Sequence, residues 1–368
     1  MNRTVNSEPA NPDVPVPPRV SVVIPAYNAA TYISGTLNSV FAQTCKDFEV
    51  IVVNDGSPDI EQLEEALQPY RSRIHYLRQE NCGPSSARNT PIRNARGRYL
   101  AFLDSDDLWL PQHLARQVEM LTTDPQIGLV YSNALHLEHD RPVGVAFDTV
   151  PQFGEPTFDA LLAERCTVNT SSVVVLRDAV LQAGLFDENM NRCEDLELWL
   201  RLASKGMRMA YDREIQICHR LGEGLAANQI LMKRGRILAY RKTAAAAGLT
   251  NSQQSIIQDK LRSLDLEIEI ETARRALLAG RYTEAVSAAS KANLLAQGRK
   301  LRFAVLGLRF FPGALRQIYR VYLQVLNSYK RRKRASAVKR IEIAGESLNL
   351  ESVIGQHHTP GKHAASLG

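Results

Sequence analysis

The chain is 368 residues long and 44% hydrophobic. That suffices for one domain of about 200–250 residues plus a smaller one, and it excludes a disordered, collagen-like or disulfide-stapled protein. Residues 229–368 hold 25 Lys and Arg against 9 Asp and Glu, whereas residues 1–228 hold 20 against 30, which indicates two units with different partners. The five cysteines lack metal-ligand spacing. A reduced cytosolic interior therefore suits them, and no zinc site is expected.

The first half of the chain alternates short apolar runs with helical patterns, after a polar, Pro-rich lead-in (1–18) that we expect to be disordered and to hold no signal peptide. Strands are predicted at 19–28, 48–57, 73–79, 98–107, 127–133 and 171–177. Continuously apolar strands that alternate with helices predict a parallel sheet covered on both faces. Ligands of such sheets bind outside the carboxyl ends of the strands, where the polar clusters NDGS and DSDD fall.

The stretch 134–170 has an irregular pattern, and we expect it to shape an acceptor site. After Asn228 the chain is predicted to be helical. Residues 274–296 are read as a plain helical pair, with a single tetratricopeptide-type repeat as the alternative. Residues 299–334 mix arginines with aromatic residues, and Pro312-Gly313 should break them into two helices. This basic segment either lies on an anionic membrane or packs on the acidic first half, and both hypotheses stay open.

Three carboxylates follow the fourth predicted strand, at Asp104, Asp106 and Asp107. Positions i and i+2 at a strand end point to the same side, so we expect Asp104 and Asp106 to lie side by side. Adjacent carboxylates repel each other unless a cation lies between them, and a hard divalent cation can also hold diphosphate oxygens. The alternative, a helix cap by Asp107 before LWLPQHL, accounts for one acid but not for three.

Asp55 and Arg88 are further candidates for ligand contacts. Asp55 ends the second strand in VVNDGS, where a carboxylate can accept hydrogen bonds from a base or a ribose, or belong to an ordinary turn. Arg88 lies in GPSSARN (83–89) at a predicted helix start, where exposed N–H groups favour anions. A simple helix cap is the alternative for that segment.

The helix predicted over 193–206 has an apolar stripe formed by Leu196, Trp199, Leu200 and Ala203. The opposite, polar face is assigned to Glu194, Glu197, Arg201 and Lys205. Asp195 does not belong to that polar face, because it shares a side with Trp199 one turn later. An acid on the inward side near a helix start is either an N-cap partner or a functional group.

The motifs PAYN, VVNDGS, GPSSARN, GRYLAFLDSDDLW and CEDLELWLRLASKG occur in one order over about residues 19–220. In order and spacing they resemble family 2 glycosyltransferases of the GT-A fold. The resemblance implies an α/β fold with a mixed, mostly parallel sheet flanked by helices, here followed by a C-terminal helical region. It also implies an inverting transfer of a sugar from a nucleotide-diphosphate sugar.

The resemblance assigns roles to individual residues. Asp55 would bind the nucleotide base, the backbone near Pro25 and Tyr27 would line the base pocket, and Asp104 would face the ribose. Asp106 would hold Mg²⁺ or Mn²⁺ on the diphosphate, and Asp195 would be the catalytic base. The predicted nucleotide-sugar site comprises Pro25, Tyr27, Asp55, Arg88 and Asp104.

Three features depart from the family pattern. Pro91 follows ARN where the family usually has smaller and less rigid residues, so we expect it to kink or shorten that helix. The Gln-x-x-Arg-Trp motif and the membrane spans of processive polysaccharide synthases are absent from the sequence, which argues against a polymerase. In CHRLGEGLAAN (218–228), Arg220 matches a family arginine, but His219 is out of register and is given no metal role.

Four segments are expected: the lead-in (1–18), a GT-A domain (19–228), a basic helical region (229–334) and a disordered tail (335–368). The expected partners are a UDP-sugar or related donor, a glycan or lipid-linked acceptor and an anionic membrane surface, with no nucleic acid because no aromatic-plus-basic module is present. We expect a cytoplasmic location, peripheral at the inner face of the plasma membrane. The alternatives are a nucleotidyltransferase on a similar sheet and a non-catalytic interaction protein.

Overall fold

The structure is a computed structural model that describes residues 17–150, 152–221, 228–246, 248–296 and 298–325. The predicted tail (335–368) and residues 1–16 of the predicted lead-in lie outside the described residues. Within the described ranges, none of the helices combines the length and apolarity that a membrane crossing requires.

Nine strands form one sheet in the described part of the chain. They are β1 (Val20–Ala26), β2 (Phe48–Asp55), β3 (His75–Gln79), β4 (Tyr99–Phe102), β5 (Leu108–Trp109), β6 (Ile127–Glu138), β7 (Arg141–Val145), β8 (Val174–Leu176) and β9 (Arg208–Arg220). The helices of the first half are α1 (Ile33–Phe41), α2 (Ile60–Leu67), α3 (Pro84–Asn94), α4 (His113–Thr123), α5 (Ala146–Thr149), α6 (Phe158–Leu162), α7 (Arg177–Ala183) and α8 (Glu194–Ser204). The later helices are α9 (Gln229–Ala244), α10 (Asn251–Ala279), α11 (Tyr282–Ala296), α12 (Arg299–Phe310) and α13, which is described over residues 312–325.

The sheet is mixed, as predicted. Its order is β3-β2-β1-β4-β8-β6-β9-β5, and β7 pairs with β6. The pairs β3-β2, β2-β1, β1-β4 and β6-β9 are parallel, and β8, β5 and β7 run antiparallel to their neighbours. The carboxyl ends of β1, β2 and β4 therefore lie side by side at one edge of the sheet.

The sheet has a core on each face because alternate residues of its strands point to opposite sides. Val22 and Ile24 of β1 pack towards α1, α2 and α4, whereas Val23 packs towards α3, α7 and α8. The strand residues of both cores are almost completely buried, so the strand ends are held by their packing. The polar loops at the carboxyl ends are held by this framework.

Five sequence expectations need correction or refinement. Residues 134–170 are not wholly irregular, because β6 runs on to Glu138 and forms a hairpin with β7. The long strand β9 was not predicted, because charged residues interrupt its apolar pattern. The fourth predicted strand is shorter than 98–107, and β8 begins only at Val174. The helix α3 continues three residues past Pro91 to Asn94, so Pro91 does not end it.

The helices after residue 228 form two groups of contacts. Ile237 and Tyr240 of α9, with Ile257 and Leu264 of α10, belong to the same buried cluster as Trp199. The last turns of α10 pack with α11, α12 and α13 in a separate small core. Residues 274–296 are a helical pair joined at Gly280, and a break at Phe311 separates α12 from α13 as predicted from Pro312.

Candidate active site

The residues expected to hold a base lie at the ends of β1 and β2. Pro25 is paired in register with Val53, and Tyr27 follows β1 with 53% of its surface exposed. The two strand ends are tied together, because the backbone N–H of Asn28 donates to the Ser57 hydroxyl at 2.6 Å. Tyr27 therefore presents its ring to solvent beside the NDGS turn.

Asp55 is buried at the end of β2, and the protein itself occupies its carboxylate. One oxygen accepts from Gln79 at 2.7 Å and from the N–H of Cys82 at 3.0 Å, while the other accepts from the N–H of Gly83 at 3.0 Å. The next residue, Gly56, has a φ of +64° and approaches the Asn81 backbone so closely that a Cβ would lie 2.6 Å from its nitrogen. The turn thus requires glycine there, and Asp55 orders the loop that leads into α3.

The acidic run 104–107 forms a tight turn. Asp104 and Asp106 therefore do not lie at positions i and i+2 of a strand end, which was the reason for expecting them side by side. β4 ends at Phe102, and the N–H of Asp107 donates to the carbonyl of Asp104 at 3.1 Å. The side-chain hydroxyl of Thr36 donates to the carbonyl oxygen of Ser105, at 2.8 Å. The carboxylates of Asp104 and Asp107 nevertheless remain close enough to Asp106 to raise its pKa.

Asp107 does not cap a helix, because β5 follows it and α4 begins only at His113. Its buried carboxylate lies 3.0 Å from Nδ1 of His219 and accepts the backbone N–H of Arg220 at 2.9 Å. Burial opposes its ionisation, but the His219 charge and these hydrogen bonds lower the pKa of Asp107 below its ordinary value. Reciprocally, the Asp107 charge raises the pKa of His219 to about 9. The pair joins the acidic turn to the end of β9.

Arg88 connects the acidic turn to α8. Its guanidinium is almost completely buried, and it donates to Asp104 and to Glu194 at 2.6 Å each. Burial alone would lower its pKa, but the two carboxylates outweigh that effect and raise the pKa of Arg88 above its ordinary value. A planar guanidinium can serve two carboxylates in different directions, which a lysine ammonium cannot do with the same geometry.

We expect Arg88→Met to lower the free energy of unfolding by about 3–5 kcal/mol, the usual cost of leaving one partner of a buried ion pair unpaired. Chemical denaturation measures this loss. The double variant Arg88→Met/Glu194→Gln is the control, because it also removes the buried Glu194 charge that the single variant leaves without a partner. It should recover most of the lost stability, and a double variant no more stable than the single one would contradict this interpretation.

Asp195 and Asp104 are held by neighbouring residues of one short turn, Thr170–Ser172. The hydroxyl of Thr170 donates to Oδ2 of Asp195 at 2.8 Å. The hydroxyl of Ser171 accepts the backbone N–H of Asp104 at 3.1 Å. The turn and Arg88 therefore both connect the start of α8 with the acidic turn, although these segments lie far apart in the sequence.

The faces of α8 differ from those predicted. Trp199, Leu200 and Ala203 are buried as expected, but Glu194 and Glu197 are buried too, not on a solvated face. Arg88 neutralises Glu194, and Arg201 binds Glu197 through two nitrogens at 2.9 and 2.7 Å. Asp195 is only partly buried, so it is the carboxylate in this first turn that can reach a ligand. Cys193, in the left-handed region at φ 57°, sets the direction of entry into the helix.

The charges around Asp106 bear on its predicted role as a metal ligand. Burial and the charges of Asp107 and Asp104 raise the pKa of Asp106 to about 7, so a positive charge beside it would favour its ionised form. In the described part of the chain, His, Cys, Asp and Glu side chains form no group of three or more that could hold a metal ion. Mg²⁺ commonly binds through one or two carboxylates plus substrate phosphates, so a single protein ligand with a diphosphate is consistent with this arrangement.

Sequence reasoning missed several residues of this site. The sequence pattern places Ser171 at the start of a strand and Thr170 at the end of an irregular stretch, although the polar run NTSS directly before VVVL signals a turn. Glu194 was placed in solvent, and the Asp107–His219 pair was not foreseen. Arg220 was noted, and it donates to Asp140 at 2.7 Å while its guanidinium lies over the Tyr32 ring.

Residues 21–183 match the family model described as glycosyl transferase family 2. The chain is 30% identical over 230 residues to UDP-Glc:alpha-D-GlcNAc-diphosphoundecaprenol beta-1,3-glucosyltransferase WfaP of Escherichia coli. That alignment covers 60% of this chain and 85% of the relative. The sheet with its flanking helices has the GT-A fold, and the chain belongs to glycosyltransferase family 2.

Other relatives are much longer than the region that matches. An uncharacterized glycosyltransferase of Rickettsia bellii is 32% identical over 193 residues, which is 50% of this chain but only 27% of that protein. The chain thus matches about a quarter of the length of that relative.

Solved structures agree on the fold. S. aureus TarS 1-349 in complex with UDP-GlcNAc superposes with a TM-score of 0.56 at 18% identity, over 83% of this chain and 92% of that one. The mannosyltransferase PcManGT of Pyrobaculum calidifontis, in complex with GDP-Man and Mn²⁺, gives a TM-score of 0.54 at 20% identity, over 83% and 88% of the chains. These values support the GT-A architecture, including helices beyond the sheet.

Proposed function

We propose that this protein is an inverting glycosyltransferase that moves a sugar from a nucleotide-diphosphate sugar, in the first instance a UDP-sugar, to a hydroxyl of a glycan or lipid-linked acceptor. The observation that carries the proposal is the link between Asp195 and the acidic turn through Arg88 and the Thr170–Ser172 turn. Family membership favours this activity over nucleotidyl transfer and over a non-catalytic role. The similar structures with UDP-GlcNAc or GDP-Man are consistent with a nucleotide-sugar donor.

Asp195 is the proposed general base. Its carboxylate is partly exposed and oriented by Thr170, as a base that must meet an incoming hydroxyl requires. Asp195 accepts the proton of the acceptor hydroxyl while that oxygen forms a bond to the anomeric carbon. The bond from that carbon to the diphosphate oxygen breaks in the same displacement, so the anomeric configuration inverts and the nucleoside diphosphate leaves.

The donor occupies the edge formed by the ends of β1, β2 and β4. We assign the nucleotide to Pro25, Tyr27 and Asp55, and the ribose and diphosphate side to Asp104 and Asp106. A bound Mg²⁺ or Mn²⁺ would supply the positive charge that stabilises the leaving diphosphate. In this arrangement Arg88 holds Asp104 in place, because its guanidinium lies 2.6 Å from that carboxylate.

We expect Asp55→Ala to weaken UDP binding by about 1–3 kcal/mol, the cost of losing a charged hydrogen-bond partner. Because Asp55 also accepts two backbone N–H groups, stability should fall as well, which denaturant unfolding would record. Calorimetry of UDP binding measures the first effect. The control is Gln79→Ala, which removes one donor but keeps the carboxylate. If Gln79→Ala weakened UDP binding equally, loop order and not the carboxylate would be the cause.

The proposed activity is tested by a donor screen. Release of nucleoside diphosphate is followed with UDP-, GDP- and dTDP-sugars, each with and without Mn²⁺, in the presence of glycan or lipid-linked acceptors. Release that requires one donor and increases with Mn²⁺ supports the proposal. Turnover of a nucleoside triphosphate with a sugar-1-phosphate, without transfer from any nucleotide sugar, would replace it with nucleotidyl transfer.

We also propose a cytoplasmic location, peripheral at the inner face of the plasma membrane. All five cysteines are free thiols, which suits a reducing compartment. A lipid-linked acceptor would lie in that membrane surface. WfaP, which acts on a diphosphoundecaprenol-linked sugar according to its name, is consistent with such an acceptor.

A further inference from the structure

The two helices at the end of the described chain expose an unusual amount of apolar surface. Seven large apolar residues of this C-terminal hairpin, defined as α12 and α13 (residues 299–325), are between 53% and 72% exposed. They are Phe303, Phe310, Phe311, Ile318, Val321, Tyr322 and Val325. Single exposed apolar residues are normal on a folded protein, but a contiguous set indicates an interaction site.

The exposed residues form a stripe on each helix. Phe303 and Phe310 are seven positions apart on α12, and Ile318 and Val325 are seven positions apart on α13, so each pair lies on one helical face. Phe311, at the break between the helices, joins the two stripes. The hairpin thus presents apolar side chains along both arms and at its tip.

The opposite side of the hairpin is packed against the rest of the protein. Leu308 is buried with residues of α10 and α11, and Leu315 and Tyr319 pack on the same small core. Arg316 donates to the carbonyl of Leu278 at 3.0 Å, which fixes α13 on the end of α10. The exposed stripes are therefore presented by an anchored element, and they do not pack on the acidic catalytic half.

The positive charge of the C-terminal hairpin determines which partner fits its exposed apolar side. Residues 298–325 contain six Lys and Arg and no acid, and no Asp or Glu occurs between Glu284 and Glu342. Arg302, Arg309 and Arg320 are exposed beside the apolar stripes. A surface that is both apolar and uniformly basic requires a partner with apolar interior and negative charge.

Two other occupants are disfavoured by the same charges. A second copy of the hairpin would bring like charges together. The following residues of this chain, 326–368, hold eight Lys and Arg against three Asp and Glu, so their net charge has the same sign as that of the hairpin. A membrane with anionic headgroups supplies acyl chains for the aromatic residues and phosphates for the arginines.

We propose that the C-terminal hairpin is a membrane-docking element that lies flat in the headgroup region of an anionic bilayer. Phe303, Phe310, Phe311 and Ile318 insert towards the acyl chains, and the exposed arginines bind lipid phosphates. This proposal rests on the proposed function in one respect only, which is that the membrane surface is the inner face of the plasma membrane. The hairpin would then be the surface through which the enzyme binds the membrane.

Flotation of the full chain with vesicles tests the proposal. The vesicles are phosphatidylcholine alone or phosphatidylcholine mixed with phosphatidylglycerol, at low and high salt. We expect at least tenfold more protein to float with the anionic vesicles at low salt, and less at high salt because salt screens surface charge. Protein that stays at the bottom with anionic vesicles would overturn the proposal.

Three variants separate the contributions. Phe303→Ser/Phe310→Ser/Ile318→Ser and Arg302→Gln/Arg309→Gln/Arg320→Gln should each reduce flotation at least tenfold. All six residues are exposed, so the fold should survive. Lys205→Gln/Arg234→Gln/Arg262→Gln removes the same charge elsewhere and should float like the wild type. Equal flotation of all variants would overturn the proposal.

Two further measurements distinguish lipid binding from dimerisation, and failure of the docking proposal from failure of the proposed activity. A dimer seen by sedimentation velocity that the phenylalanine variant abolishes would assign the face to a second copy and overturn the lipid proposal. Nucleoside diphosphate release in detergent-free solution with soluble acceptor is followed for every variant and should be unchanged. Flotation without any such release would contradict the proposed activity while supporting the docking element.

Discussion

Asp195→Asn should lower turnover by about a hundredfold or more, because the acceptor hydroxyl loses the group that takes its proton. Donor binding should change little, since the substitution keeps the shape of the side chain and its contact with Thr170. Single-turnover transfer to a saturating acceptor measures the first effect. Calorimetry of UDP binding in the presence of Mn²⁺ measures the second.

Two comparison variants separate the loss of the base itself from the loss of its orientation. Thr170→Val removes the 2.8 Å hydrogen bond that orients Asp195 but keeps the base, so it should reduce turnover less than Asp195→Asn does. Asp178→Asn removes a charge whose side chain is 81% exposed and should act like the wild type. Glu194→Gln is not a neutral comparison, because Glu194 is a buried partner of Arg88. An Asp195→Asn enzyme with nearly full turnover would contradict the assignment of the base.

Asp106→Ala should abolish the part of nucleotide affinity that depends on metal. The carboxylate is the proposed protein ligand of Mg²⁺ or Mn²⁺, so the cation would lose its link between protein and diphosphate. Calorimetry of UDP binding with and without Mn²⁺ measures the effect. The variant should bind UDP equally weakly under both conditions, whereas the wild type should bind more tightly with Mn²⁺.

The substitution also removes a carboxylate whose pKa is raised to about 7 by burial and by Asp107 and Asp104. The metal-free protein should therefore lose little stability, because burial and the two neighbouring carboxylates outweigh the favourable effect of the His219 charge on Asp106. Asp178→Ala serves as the matched control, since it removes an exposed carboxylate outside the acidic turn. A wild type that binds UDP equally with and without Mn²⁺ would contradict the metal role of Asp106.

Much of the sheet could be predicted because burial imposes a simple pattern. β1, β2, β4 and β6 are buried on both faces, and continuous apolar runs at 19–28, 48–57, 98–107 and 127–133 identify them. The polar clusters at their ends indicated the position of the site, since parallel strands end at a common edge. β9 escaped prediction because its pattern includes Asp212, which is buried only because Arg116 binds it with two hydrogen bonds.

The remaining errors concern contacts between distant parts of the chain. Arg88 and Glu194 are 106 positions apart, and His219 and Asp107 are 112 apart. A helical wheel places Glu194 on a polar face because it contains no information on a buried arginine from another helix. The same limit explains why Thr170 was missed, since its role depends on the packing of its turn against α8.

The helix α10 has a mechanical consequence. It is a single helix of 29 residues whose early residue Ile257 lies in the catalytic core and whose late residue Ala276 lies in the core of the hairpin. At 1.5 Å per residue these positions are about 30 Å apart. If the hairpin docks as proposed, the helix would act as a rigid spacer between the bound surface and the proposed transfer site. Its length would select acceptors whose reactive hydroxyl projects by a matching distance, and inserting one helical turn would raise the site by about 5 Å.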